Sequence, residues 1–77
     1  MIMNDKNHLK NETLIINGQN YEYIPPINVK NLLSYLGFNI KVIVIDYNGS
    51  VLQKELSTKT FLKNMDTIEI LTIAGGG

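Results

Sequence analysis

The residues best placed to do chemistry are the last ones. Leu71 to Gly77 read LTIAGGG: a strand-like run, a small residue, then three glycines. Glycine lacks a Cβ atom, so this stretch is thin and reaches backbone conformations closed to other residues. Fully extended, three residues span about 10 Å, enough to carry a chain end into a narrow enzyme channel. A terminal carboxyl titrates at about 3.3–3.7 in reference peptides, so the Gly77 carboxylate is expected to be ionised at neutral pH. Such a carboxylate can attack the α-phosphate of ATP. The acyl-adenylate formed then accepts a sulfur or nitrogen nucleophile. The competing reading is a frayed end, since disorder collects at termini. The rest of the chain decides between the two.

Few other residues compete for a chemical role. The chain has no cysteine, so it has no thiolate nucleophile, disulfide framework or cysteine metal site. Any sulfur it handles must sit on something other than a side chain. His8 is the single histidine and lies in a polar, aperiodic stretch, where it cannot assemble a catalytic or metal constellation. Ser34 falls inside an apolar helical stretch, without the preceding acid that marks a phosphopantetheine site. It reads as an ordinary helical serine. No phosphate-binding loop is present.

The elements that must position the tail follow from periodicity and turn chemistry. Thr13 to Asn17 is strand-like, and Asn17-Gly18 is a strong two-residue hairpin signal before a second strand over Gln19 to Ile24. Tyr21 and Tyr23 fall on one side of that strand, Glu22 and Ile24 on the other. Pro25 and Pro26 end it. Asn28 is a good N-cap for a short helix through Gly37, with Val29, Leu32, Leu33 and Leu36 on one apolar face. Ile40 to Tyr47 reads as the strongest strand, covered on much of both faces. A second Asn-Gly turn, Asn48-Gly49, leads to a shorter strand over Val51 to Leu56. Residues 57–66 form an irregular connection that Phe61 and Leu62 anchor in the core. The last strand is Thr67 to Ile73.

This order predicts an α+β fold: a β-grasp roll, with a mixed sheet of four to five strands and one helix packed on one face. The first and last strands then pair in parallel at the sheet centre. Residues 1–11 are expected to be a flexible arm, and 12–77 a single domain with a flexible glycine tail over 74–77. In the last strand Leu71 and Ile73 share the parity of Glu69 and oppose Ile68 and Ile70. If Ile68 and Ile70 face the helix, Leu71 and Ile73 form an exposed apolar pair beside the tail, suited to docking a partner. Tyr47 and Lys54 are weaker candidates for the same surface.

Bulk properties agree with a small globular domain. The chain has 77 residues, 44% hydrophobic and 18% charged, with seven lysines balancing seven acids. A single compact core is all this length supports. The zero net charge provides no basic field for nucleic acid or an anionic membrane. No apolar run reaches the length of a membrane span, and the first dozen residues lack the apolar segment of a secretory signal. Cytoplasm is the default location, with plastid stroma the alternative if an organelle genome encodes the chain. The abundance of asparagine, isoleucine and lysine fits an AT-rich coding genome.

Several stretches together resemble the ThiS family of ubiquitin-like sulfur carrier proteins of thiamine biosynthesis. They are INGQNY (Ile16 to Tyr21), LLSYLG (Leu32 to Gly37), VIVIDYNGSVLQKE (Val42 to Glu55) and MDTIEILTIAGGG (Met65 to Gly77). The resemblance covers the chain from about residue 13 onward. Two sites depart from the family's usual pattern. Gln53 and Lys54 stand where a Pro-Arg pair is common, and Asn64, Met65 and Asp66 stand where Asp-Gly-Asp is common. Lys54 keeps the charge of arginine but not its bidentate fork.

The resemblance implies a protein co-substrate rather than an enzyme, with no bound cofactor. A ThiF-type adenylyltransferase would use ATP and Mg to adenylate the carboxylate of Gly77. A persulfide sulfur donor would convert the adenylate to a thiocarboxylate, and a ThiG-type thiazole synthase would take the sulfur. Gly76, Gly75, Ala74, Ile73 and Leu71 would contact these partners. Two related roles use the same chain end: a molybdopterin synthase small subunit, and a ubiquitin-like modifier conjugated to lysines. A β-grasp binding module with an idle tail is the alternative of another class. The bound acceptor, conjugate ladders, and the effect of deleting Gly76 and Gly77 separate them.

Overall fold

The computed structural model describes residues 10–73. The expectations for residues 1–9 and for Ala74, Gly75, Gly76 and Gly77 lie outside the described residues. The strands are β1 (Glu12–Ile16), β2 (Gln19–Tyr23), β3 (Ile43–Tyr47), β4 (Ser50–Val51) and β5 (Asp66–Thr72), with one helix, α1 (Val29–Leu36). They form one sheet in the order β2-β1-β5-β3-β4. β1 and β5 run parallel at its centre, with Leu14 opposite Asp66 and Ile16 opposite Ile68. The other three pairings are antiparallel. This is the β-grasp roll that the element order predicts.

Both Asn-Gly pairs make the turns expected of them. Asn17 and Gly18 have φ of 50° and 83°, and Asn48 and Gly49 have 52° and 92°. Such left-handed pairs match the natural twist of a two-residue hairpin. α1 is short but capped at both ends. The Asn28 side chain accepts from the Asn31 N–H at 2.7 Å, and Gly37, at φ 88°, donates its N–H to the Ser34 carbonyl. Eight residues would not hold a helix alone in water. Packing of Val29, Leu32 and Leu33 on the sheet stabilises it, against Leu14, Ile16, Ile43, Ile45, Ile68 and Ile70.

Four sequence expectations need correction. Ile40–Val42 is a 3-10 turn, because the Asn39 side chain accepts from the Lys41 N–H at 2.9 Å and curls the backbone before β3 begins. β3 is buried on one face only: Ile43 and Ile45 are covered by the helix, while Val44 and Asp46 are half-buried on the other side. The strand expected over Val51 to Leu56 stops at Val51. Beyond Gln53 the chain forms a 3-10 turn over Lys54–Leu56, closed by the Ser57 hydroxyl donating to the Lys54 carbonyl at 2.7 Å. Leu62 anchors the connection in the core as expected, but Phe61 is 52% exposed.

The turn into β5 places Met65 at φ 72°, a region that disfavours any residue with a Cβ. Its N–H is held by the Thr13 carbonyl, so the backbone cannot relax elsewhere. The side chain is largely exposed and contributes little burial. Met65→Gly is therefore expected to raise stability by about 1 kcal/mol, read as a higher urea midpoint with an unchanged slope.

Candidate functional site

The candidate site is the C-terminal half of β5 and the outer sheet face around it. β5 is held from both flanks by side chains of the two hairpin turns. Asn17 donates its backbone N–H to the Ile68 carbonyl at 2.9 Å and accepts from the Ile70 N–H through its side-chain oxygen at 2.7 Å. Asn48 donates its backbone N–H to the Thr67 carbonyl at 2.8 Å and accepts from the Thr67 N–H through its side-chain oxygen at 2.7 Å. Asn64 adds a third clamp, accepting from the Thr13 N–H at 2.8 Å. The register of β5 is thus set by side chains as well as by its ladders. Its last described bond is the Ile73 N–H to the Val42 carbonyl at 2.8 Å.

Asp66 starts β5 and is buried. Its carboxylate accepts from the Tyr47 hydroxyl, from Asn48 Nδ2 at 3.0 Å and from the Lys63 N–H at 2.8 Å. Burial pushes its pKa up, but these hydrogen bonds and the nearby Lys63 charge outweigh it and hold the group below the ordinary carboxylate value. The Tyr47 hydroxyl is pushed up to about 12, first by burial and then by its bond to Asp66 and that group's charge. Tyr47 therefore does not belong to the outer surface proposed for it. It sits opposite Ile68 on the helix side of the sheet.

Leu71 and Ile73 lie where parity puts them. They are 61% and 44% exposed, while Ile68 and Ile70 are buried against the helix. The structure extends this pair into a patch. Val44 is the cross-strand partner of Leu71, and Val51, opposite Asp46 on β4, is 64% exposed on the same face. Sequence reading missed Val44 and Val51. The Asn48-Gly49 turn was a signal that could have found Val51, because a two-residue hairpin fixes which β4 residue opposes Asp46. A shallow cleft of about 210 Å³ lies beside Ile73, lined by Val44, Val51, Leu52, Gln53 and Lys54 among others. Lys54 reaches across it to the Lys41 carbonyl at 3.3 Å, with its side chain exposed. No cluster of metal-ligating side chains exists among the described residues. No helix there is long and apolar enough to cross a membrane.

A parallel β1–β5 centre, a single covering helix and a pinned last strand leading into the glycine segment define a ubiquitin-like β-grasp carrier. The sequence profile of the ThiS family matches residues 14–77, and the chain belongs to that family of sulfur carriers. It is similar to the crystal structure of the thiamine biosynthesis protein (ThiS) from Geobacter metallireducens. The TM-score is 0.73 at 32% identity, covering 84% of this chain and 99% of that one. It is also similar to the ycf40 proteins of two algae. That of Trieres chinensis is 42% identical over 66 residues, 86% of this chain and 90% of the relative. That of Porphyra purpurea is 38% identical over 68 residues, 88% and 96% of the two chains.

The Asp66 cluster generates a pH prediction. A carboxyl whose folded pKa is depressed stabilises fully above its unfolded value, about 3.9, and loses that contribution as pH falls through the folded value. The wild-type protein should lose stability steadily below about pH 4. Asp66→Asn should flatten that part of the acid limb and cost about 1–3 kcal/mol at neutral pH, read by urea unfolding across a pH series.

Proposed function

We propose that the carboxylate of Gly77 is adenylated by a ThiF-type adenylyltransferase using ATP and Mg, then converted to a thiocarboxylate. The carboxylate oxygen attacks the α-phosphate and pyrophosphate leaves. A sulfur nucleophile from a persulfide donor then attacks the acyl carbon and AMP leaves. Reductive cleavage of the resulting acyl disulfide by a thiol frees the thiocarboxylate. A ThiG-type thiazole synthase takes its sulfur for the thiazole ring of thiamine. In this scheme the chain is a co-substrate, and the catalytic groups belong to its partners.

The observation that carries this reading is the ThiS-family match, which runs unbroken from β1 through Gly77. The exposed Leu71, Ile73 and Val51, with half-buried Val44 between the strands, supply an apolar docking face beside the tail. Gly75 and Gly76 supply thinness for entry into the partners' channels. Ala74 adds only a methyl group between Ile73 and the glycines. The ycf40 relatives, encoded in plastid genomes of algae, favour plastid stroma over cytoplasm as the location.

Intact mass tests the chemistry. Incubation with the cognate adenylyltransferase, Mg-ATP and a sulfide source should add a mass equal to sulfur minus oxygen. Deleting Gly77 should abolish the gain, and a protein that never gains it does not carry sulfur. Leu71→Glu and Ile73→Glu should each slow thiocarboxylate formation about tenfold or more through weakened docking. Their melting temperatures should stay close to wild type, because both side chains are exposed.

A further inference from the structure

The two outer edges of the sheet differ. β4 is two residues long, and a short edge strand offers little template for pairing. β2 is five residues long, and four of the five are exposed. It carries neither lysine nor proline, the residues that usually guard such an edge. Because Asn17-Gly18 is a two-residue turn, Ile16 and Gln19 close the hairpin as a hydrogen-bonded pair. Gln19, Tyr21 and Tyr23 therefore turn their backbone polar groups toward β1. Asn20 and Glu22 turn theirs outward, and among the described residues none bonds to them.

The geometry points to the β2 edge as a self-association surface, on which a second copy of this chain adds its own β2 antiparallel about a two-fold axis at Tyr21. In that register Asn20 stands opposite the second copy's Glu22, and Glu22 opposite its Asn20. Their outward N–H and C=O groups meet as hydrogen-bonded pairs, so the same residues satisfy both sides, as a two-fold interface requires. On the outer face an amide donor meets a carboxylate acceptor at each pair. A register centred on Glu22 would instead set two carboxylates face to face. On the helix side the two Tyr21 rings meet across the axis, where aromatic cross-strand pairs stabilise a sheet. Tyr21 also borders an apolar cleft of about 480 Å³ with Tyr35, Ile24 and Leu36 of its own copy. Tyr35 is 85% exposed there. The zero net charge leaves no long-range repulsion to oppose the encounter. β2 is separated from β5 by β1, so pairing leaves Leu71 and Ile73 open.

An interface this small is weak, so the test spans about 10 µM to 1 mM in sedimentation equilibrium. The mass of the wild-type chain should rise from 8.7 kDa toward twice that value. Asn20→Glu places a carboxylate opposite Glu22 at both pairs and should weaken the dissociation constant about tenfold or more. Asn20→Lys should tighten it. Far-UV circular dichroism and melting temperature should be unchanged in both, because Asn20 is exposed. The amide hydrogens of Asn20 and Glu22 should gain protection from exchange as wild-type concentration rises. A mass of 8.7 kDa at the highest concentration would overturn the inference. So would a dimer that Asn20→Glu leaves intact and Leu71→Glu dissociates, or protection of the β2 edge that appears only when the adenylyltransferase is added.

Discussion

The structure depends on the clamping of β5. This strand lies at the sheet centre, parallel to β1 and antiparallel to β3, and it leads directly into the glycine segment. Parallel pairing offers no hairpin to set register, so a one-residue slip would move Ile68 and Ile70 from the core to solvent. Asn17 and Asn48 prevent it. Each sits at positive φ in its own hairpin turn, and each turns side-chain and backbone groups onto β5. The two turns do two jobs: they reverse the chain, and they fix the position of a strand more than forty residues away from the first of them.

The same clamps organise the two faces. With β5 in register, Ile68 and Ile70 complete the core beneath α1, and Leu71 is left on the open face beside Val44. Asp66 ties the start of β5 to the end of β3 and its turn through Tyr47 and Asn48, so a buried carboxylate holds the strand in place. A small domain with little room for an enclosed pocket thus presents a rigid strand and an apolar face. That suits the docking role proposed for this face.

How much was legible in the sequence can be judged residue by residue. The Asn-Gly turns, the capped helix and the alternation of β5 were all readable, because each depends on neighbours along the chain. The 3-10 turn at Ile40–Val42 was hidden beneath a β-branched run. β-propensity pointed to strand, whereas the Asn39 side chain captured the Lys41 N–H and started the strand later. Phe61 looked like a core anchor by type, yet Leu62 beside it took the buried site.

The sequence alone determined the β-grasp class, the family, the parity that exposes Leu71 and Ile73, and the glycine segment through Gly77, since periodicity, turn chemistry and motif order are local. Only the tertiary structure decided that Tyr47 faces inward to Asp66, that Val44 and Val51 extend the apolar face, and that both turn asparagines hold β5. Those facts depend on cross-strand register and on contacts between residues far apart in the chain. No single stretch of sequence carries that information; it arises when the strands are laid side by side.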